Sequence, residues 1–199
     1  MSDGQGIGLV FDEVLHKYFV DGKELPSVTT IIRRVLGDKG HGTQWHMDRG
    51  SAAHELYALM GAGEDLGLYE YDQRLTGNVA AWLDWHSRER VEVEAVERQM
   101  CHISAGYAGT VDAVVMIRGK RWIIDYKASA SARDELQLAA YKEMWESNYP
   151  GAKIHGAASL EITAGGWKYG MTFDRMRLVT ARAKWNSVLS VYRMLESGV

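Results

Sequence analysis

Cysteine and proline are scarce in this chain of 199 residues, and no long apolar run is present. A single thiol, Cys101, excludes an intramolecular disulfide, a zinc site built from cysteines alone and a cysteine-ligated iron–sulfur cluster. Its ordinary place is that of a small buried apolar residue. Only Pro26 and Pro150 occur, without internal repeats or low-complexity tracts, so there is little sign of a linker. No stretch approaches the roughly 18 uncharged residues of a membrane span. The segment Met1 to Gly8 also lacks the charged and apolar regions of a signal peptide. The expectation is a soluble, cytoplasmic protein with no membrane partner.

An excess of positive charge is missing as well: 23 Lys and Arg stand against 26 Asp and Glu, a net charge of −3. Domains that bind nucleic acid over a broad surface are commonly strongly basic. That balance leaves room for a local basic groove, because divalent ions held by carboxylates add positive charge that a residue count omits. At 46% apolar residues the chain can bury one good core, whereas two independent domains would each be small. One domain over 1–199 is expected: a hairpin and helical part (1–90), a sheet core (91–173) and a C-terminal helix (174–199).

The pattern along the chain begins with a hairpin, Leu9 to Phe11 and Tyr18 to Val20, with turn chemistry at Asp21-Gly22. Ser27 caps a helix from about Val28 to Leu36 that Gly37 ends, and Thr43 caps another reaching about Met60. Leu75, Val79, Trp82 and Leu83 share one side of a third helix, about Asp72 to Arg88. The period then changes. Val91 to Ser104, Tyr107 to Ile117 and Arg121 to Tyr126 read as an antiparallel meander, the last two strands joined at Arg118-Gly119-Lys120. Ser131 and Asp134 form a capping box for a helix to about Asn148; strands near Lys153 to Thr163 and Trp167 to Phe173 precede a last helix from about Asp174 to Leu195. The order predicts an α/β sandwich with a central mixed β-sheet flanked by helices, distinct from a doubly wound fold.

Chemistry gathers where the meander meets the following helix. Asp112 lies in one strand of the tight hairpin; Asp125 and Lys127 end the other, two apart and so on one face, with the carbonyl of Tyr126 able to turn to the same pocket. Asp-x-Lys is ordinarily a surface ion pair. Here the flanks are apolar, and a charged pair ending a buried strand is costly without a partner or a function. Two carboxylates on adjacent strands suit one oxygen-seeking cation, Mg²⁺ or Mn²⁺.

Gly109-Thr110-Val111-Asp112, then about a dozen positions on Asp125-Tyr126-Lys127, then Gln137-Leu138-Ala139-Ala140-Tyr141 resemble the core of RecB-like nucleases of the PD-(D/E)XK superfamily. Upstream, Arg49-Gly50-Ser51-Ala52-Ala53-His54-Glu55 is similar to the helical histidine motif of that group, so the motifs span 49–141. The segment from Tyr18 to Thr30 resembles the opening of small viral or mitochondrial genome-maintenance exonucleases of the class. CRISPR-associated relatives carry cluster-binding cysteines, from which this chain departs.

The resemblance implies a restriction-endonuclease-like core and a Mg²⁺- or Mn²⁺-dependent deoxyribonuclease. Asp112 and Asp125, with the Tyr126 carbonyl, would hold a metal that His54 also reaches, or a second one. Glu94 would be a further acidic ligand, with Glu97 its competitor. Lys127 would act as a base or would position water and stabilise charge; Gln137 and Tyr141, one turn apart, would contact backbone phosphate or orient Lys127, and Arg49 would bind the nucleic acid. Trp82, Trp85 and His86 read as core, and His41 and His46 as bland. Arg175, Arg177, Arg182, Lys184 and Arg193 form either a phosphate-tracking face or a solvated one.

DNA is then the expected partner, and the expected role that of an exonuclease acting from ends in recombination, repair or viral DNA processing, in a prokaryotic or virus-encoded intracellular protein. The alternatives are a structure-specific endonuclease and a decayed binding module. A chain this short cannot easily surround a duplex, so high processivity would call for a homo-oligomer or a recombination partner.

Overall fold

The computed structural model describes residues 8–37 and 44–198, with 44–49 by backbone alone. Thr43 and His41 lie outside the described residues, as do the side chains of His46 and Arg49.

The chain opens with a small antiparallel sheet, β1 (Leu9–Asp12), β2 (Lys17–Val20) and β3 (Lys23–Leu25), in that order. The Asp21-Gly22 signal is real, with both residues at positive φ, yet it joins β2 to β3 rather than β1 to β2. The first turn is built by Asp12, whose Oδ1 accepts the backbone N–H groups of Val14 and Leu15, and His16 takes the left-handed conformation. That local side-chain turn carries no glycine, which is why the dipeptide after it looked like the stronger candidate.

Helix α1 (Val28–Leu36) starts where Ser27 Oγ accepts the Thr30 N–H at 3.0 Å and stops at Gly37, φ 78°. Helix α2 (Gln44–Gly61) follows, then α3 (Thr76–Glu89), preceded by a 3₁₀ turn at Gln73–Leu75. On α3 the expected stripe shifts by one member: Leu75 in the preceding turn and Val79, Trp82 and Trp85 are buried, whereas Leu83 is exposed. Trp85 displaces Leu83 because positions three apart from Trp82 turn inward and the next one turns out.

A five-stranded mixed sheet forms the centre: β4 (Glu92–His102), β5 (Tyr107–Ile117), β6 (Lys120–Lys127), β7 (Gly156–Thr163) and β8 (Gly166–Asp174), each beside its sequence neighbour. β4, β5 and β6 make the antiparallel meander, with Arg118 and Gly119 at positive φ in the β5–β6 turn. Helix α4 (Asp134–Asn148) carries the chain over to β7, which pairs with β6 in parallel. β6 is buried on both faces from Ile123 to Tyr126, as a central strand of a two-sided sandwich must be.

Helices cover both faces. α1, α4 and α5 (Arg175–Ser197) pack on one, around Val111, Val114, Ile123 and Phe173. α2 and α3 pack on the other, around Ala113, Val115, Ile124, Tyr126 and Leu160. Among the described residues no helix is long and apolar enough to cross a membrane.

Candidate functional site

Apolar side chains along β5 change face at one residue. Tyr107 and Val111 point to the α4 side, whereas Ala113, Val115 and Ile117 point to the α2–α3 side. Asp112 is the pivot. The β5–β6 ladder runs only to Ala113 opposite Ile124, and beyond it the strands part. The Asp112 carboxylate enters the fork, where its Oδ2 accepts the Tyr126 backbone N–H at 2.8 Å in place of a strand carbonyl.

β6 continues past the fork, held by β7, and delivers Asp125 and Lys127 to the α4 side. Asp125 is fully buried, and its Oδ1 accepts from Lys127 Nζ and from Gln137 Nε2, both at 3.1 Å. Oδ2 lies 2.9 Å from the same ammonium but accepts no aligned hydrogen bond. Gln137 is used completely: its Nε2 also donates to Tyr141 Oη at 2.8 Å, and its Oε1 faces Lys127 Nζ at 3.4 Å.

Two features aim α4 at this cluster. Asp134 accepts from Ser131 N and Oγ and from Ser159 Oγ on β7, fixing the start of the helix against the sheet. Gln137 and Tyr141 then follow on the same face, one and two turns later. The Tyr141 ring lies so close over β5 that a Cβ at Gly109 would sit 3.1 Å from it, so glycine there is what lets the ring down.

From the opposite layer α2 brings His54, whose Nδ1 is 3.5 Å from Asp112 Oδ2. Cross-strand from Asp112 stands Glu97 on β4, in the left-handed conformation at φ 42°. One ligand atom from each of His54, Glu97 and Asp112 lies within 4.8 Å of the others. Glu94, the other acidic candidate, is elsewhere: it sits at the β4 irregularity between Val93 and Ala95 and is ion-paired to Arg121, with Oε1 2.8 Å from a guanidinium nitrogen.

Electrostatics follow from burial. Asp112 and Asp125 are both pushed above the usual carboxylate range by removal from water, only partly offset by Lys127, and for Asp125 the neighbouring Asp112 charge adds to the rise. Glu97 is exposed, yet partial burial beside the Asp112 charge raises its carboxyl to about 7. Burial lowers His54, leaving it neutral at neutral pH, against the pull of Asp125. Burial would also lower Lys127, but Asp125 and Asp112 overcome it and hold the amine charged.

The structure therefore brings together His54, Asp112, Asp125, Tyr126, Lys127, Gln137 and Tyr141, and of the two acidic candidates it places Glu97 with them and separates Glu94. Among the other candidates, Trp82 and Trp85 are core, and Cys101 is a buried free thiol. The basic residues of α5 largely turn back on the protein: Arg182 pairs with Glu143, Lys184 with Glu135, and Arg193 donates to the Ala105 carbonyl. Asn78, which no spacing singled out, is buried beside the site and makes two hydrogen bonds there. Compared with protein-family models and with curated proteins, the chain matches none.

The residues fit a hard divalent cation. Glu97 and Asp112 lie with the neutral imidazole of His54, and Asp125, beside Lys127, keeps an oxygen without a hydrogen bond. Oxygen donors with one nitrogen suit Mg²⁺ and, better, Mn²⁺.

Proposed function

We propose that the chain is a Mg²⁺- or Mn²⁺-dependent deoxyribonuclease of the PD-(D/E)XK class, RecB-like, acting as an exonuclease on DNA ends. One observation carries it: Asp112 and Asp125, both removed from water, feel each other's charge, with Lys127 beside them and with Glu97 and His54 next to Asp112. A buried excess of negative charge is unfavourable unless a cation joins it.

His54, Glu97 and Asp112 would hold the ion, with Asp125 and the Tyr126 carbonyl beside them. When bound, the cation supplies Lewis-acid relief of the charge that builds on the phosphoryl oxygens. In the metal-free chain Asp125 and Asp112 hold Lys127 charged, and in that form it would donate hydrogen bonds and stabilise that charge. Gln137 fixes Lys127 and Asp125 relative to each other, and Tyr141 fixes Gln137. DNA phosphate is the anion that these groups would meet.

Incubation of the purified chain with linear duplex, single-stranded and covalently closed circular DNA, each with Mn²⁺ and with EDTA, tests it. Metal-dependent loss of the linear forms with persistence of the circle is expected. Nicking of the circle as fast as the linear form disappears would make it an endonuclease, and no cleavage with Mn²⁺ would remove the assignment.

A further inference from the structure

Helix α3 stops at Glu89, short of the end of the sheet at which β5 turns into β6. There a cavity of about 480 Å³ opens, walled by Ile117, Trp122, Tyr169 and Thr172, with Glu89, Arg118 and Lys120. The strand registers put its floor on the α2–α3 side of the sheet. Lys120 stands opposite Ile117, Trp122 beside Gly156, and Thr172 opposite Ala158, while Ile117 and Ala158 belong to the apolar cluster of that side. Lys120 and Trp122, two apart on β6, therefore share that face. Asp125 and Lys127 alternate to the other face with Ile123, so this cavity is separate from the carboxylate cluster.

Trp122 is half-buried, and its six-membered ring leans over β7: a Cβ at Gly156 would lie 2.5 Å from it. Glycine at that position is what lets the indole lie low on the sheet and form part of the floor. Charge at the rim is unbalanced. Arg118 pairs with Glu89 at 3.2 Å, whereas the exposed Lys120 has no ion-pair partner among the described residues.

We infer that this cavity is a second nucleotide site, which takes one nucleoside monophosphate with its base against Trp122 and Tyr169 and its phosphate at Lys120. A mainly apolar wall with a few polar groups, at this volume, is the usual form of a small-molecule site. An aliphatic anion would answer Lys120 and leave the aromatic wall uncovered. A neutral aromatic ligand would cover the wall and leave Lys120 unanswered. A nucleotide does both, and stacking on an aromatic side chain accepts any of the four bases. The choice of a nucleotide among aromatic anions rests on the nuclease assignment, because a nucleoside monophosphate is what cutting from a DNA end releases.

The test is calorimetric titration of the full-length chain with 2′-deoxyadenosine 5′-monophosphate, with 2′-deoxyadenosine and with inorganic phosphate, all in EDTA so that the carboxylate cluster holds no metal. Saturable binding of the monophosphate is expected, with a Kd of about 1 mM or tighter and with each fragment about tenfold weaker or worse. Trp122→Leu should weaken it about tenfold and Lys120→Glu at least as much, while Lys127→Ala, which alters the carboxylate site, should leave it unchanged. Absence of saturation would overturn the inference. So would binding that Lys120→Glu or a folded Trp122→Leu leaves unchanged, inorganic phosphate binding as tightly as the monophosphate, or loss of binding in Lys127→Ala, which would put the nucleotide at the carboxylate site. Lys120 is exposed beside a turn, so Lys120→Glu decides alone should Trp122→Leu not fold. The titration needs no cleavage: failure here leaves the nuclease assignment standing, and failure of that assignment shows separately, as DNA left intact with Mn²⁺.

Discussion

Asp112 accepts the backbone N–H of Tyr126 at 2.8 Å at the point where β5 and β6 separate, so one carboxylate both closes a strand fork and faces the candidate metal site. The two roles separate by substitution. Asp112→Asn keeps an acceptor of the same size and should melt within a few degrees of the unaltered chain, while cleavage falls at least ~100-fold. Asp112→Ala leaves a buried N–H unpaired and should lose about 1–3 kcal/mol in addition. Melting curves and initial cleavage rates on the two variants check this.

His54 stands 3.5 Å from Asp112 and is held neutral by burial, which is the form that ligates a metal. His54→Ala should raise the metal concentration needed for activity, with partial recovery at high Mn²⁺, and should change the metal-free melting temperature little. A lower metal-free melting temperature with unchanged metal dependence would make it a packing residue.

Glu97 and Glu94 should differ in kind. Glu97→Gln removes a carboxyl that lies with His54 and Asp112 and should weaken Mn²⁺ binding, measured by titration calorimetry. Glu94→Gln breaks the ion pair with Arg121 and should cost stability of about 1 kcal/mol or less, with metal affinity unchanged.

The pH dependence has a definite sign. For Glu97, raised to about 7, and for Asp125, raised by burial, the folded state binds the proton more tightly than the unfolded state does. Their stabilising contribution is present below the unfolded carboxyl pKa and is lost as pH rises through the folded one. Near pH 6.5 the lowered His54 opposes this, because the unfolded imidazole still holds part of a proton that the folded one does not; from about pH 7 to 8 that opposition has largely gone. The metal-free melting temperature should fall across that window by several degrees, since about 1 kcal/mol moves a chain of this size by ~2–4 °C. Saturating Mn²⁺ should flatten the fall; a metal-free profile that is level or rises would contradict it.

Much of the site was legible because it lies on regular elements. Asp125 and Lys127 share a face by strand alternation and Gln137 and Tyr141 by helical spacing; Ser131 and Asp134 meet at the start of α4, but Ser131 Oγ donates to the Asp134 carboxylate and the helix cap is Arg133, without a side-chain cap bond. What stayed hidden, or, like the choice of Glu97 over Glu94, stayed open, depends on breaks in those periods. Glu97 meets Asp112 because β4 is irregular near Glu94 and because Glu97 itself takes φ 42°, and neither departure has a glycine or proline to mark it. Asn78 gave no signal either, since a lone asparagine inside a helix ordinarily faces solvent; it is the approach of β7, through the Ile162 carbonyl, that buries it. Likewise the basic residues of α5 could be placed on a helix but not paired, because their partners Glu135 and Glu143 lie on α4, far off in sequence.

The most direct measurement is cleavage of linear DNA with Mn²⁺ by the unaltered chain and by Lys127→Ala, side by side with their melting curves. Lys127 contacts Asp125 and Gln137 but is partly exposed, so its loss should leave the fold standing. The account predicts metal-dependent degradation by the unaltered chain and a loss of at least ~100-fold in Lys127→Ala at nearly the same melting temperature. Absence of cleavage by the unaltered chain, or near-normal cleavage by a folded Lys127→Ala, would contradict it.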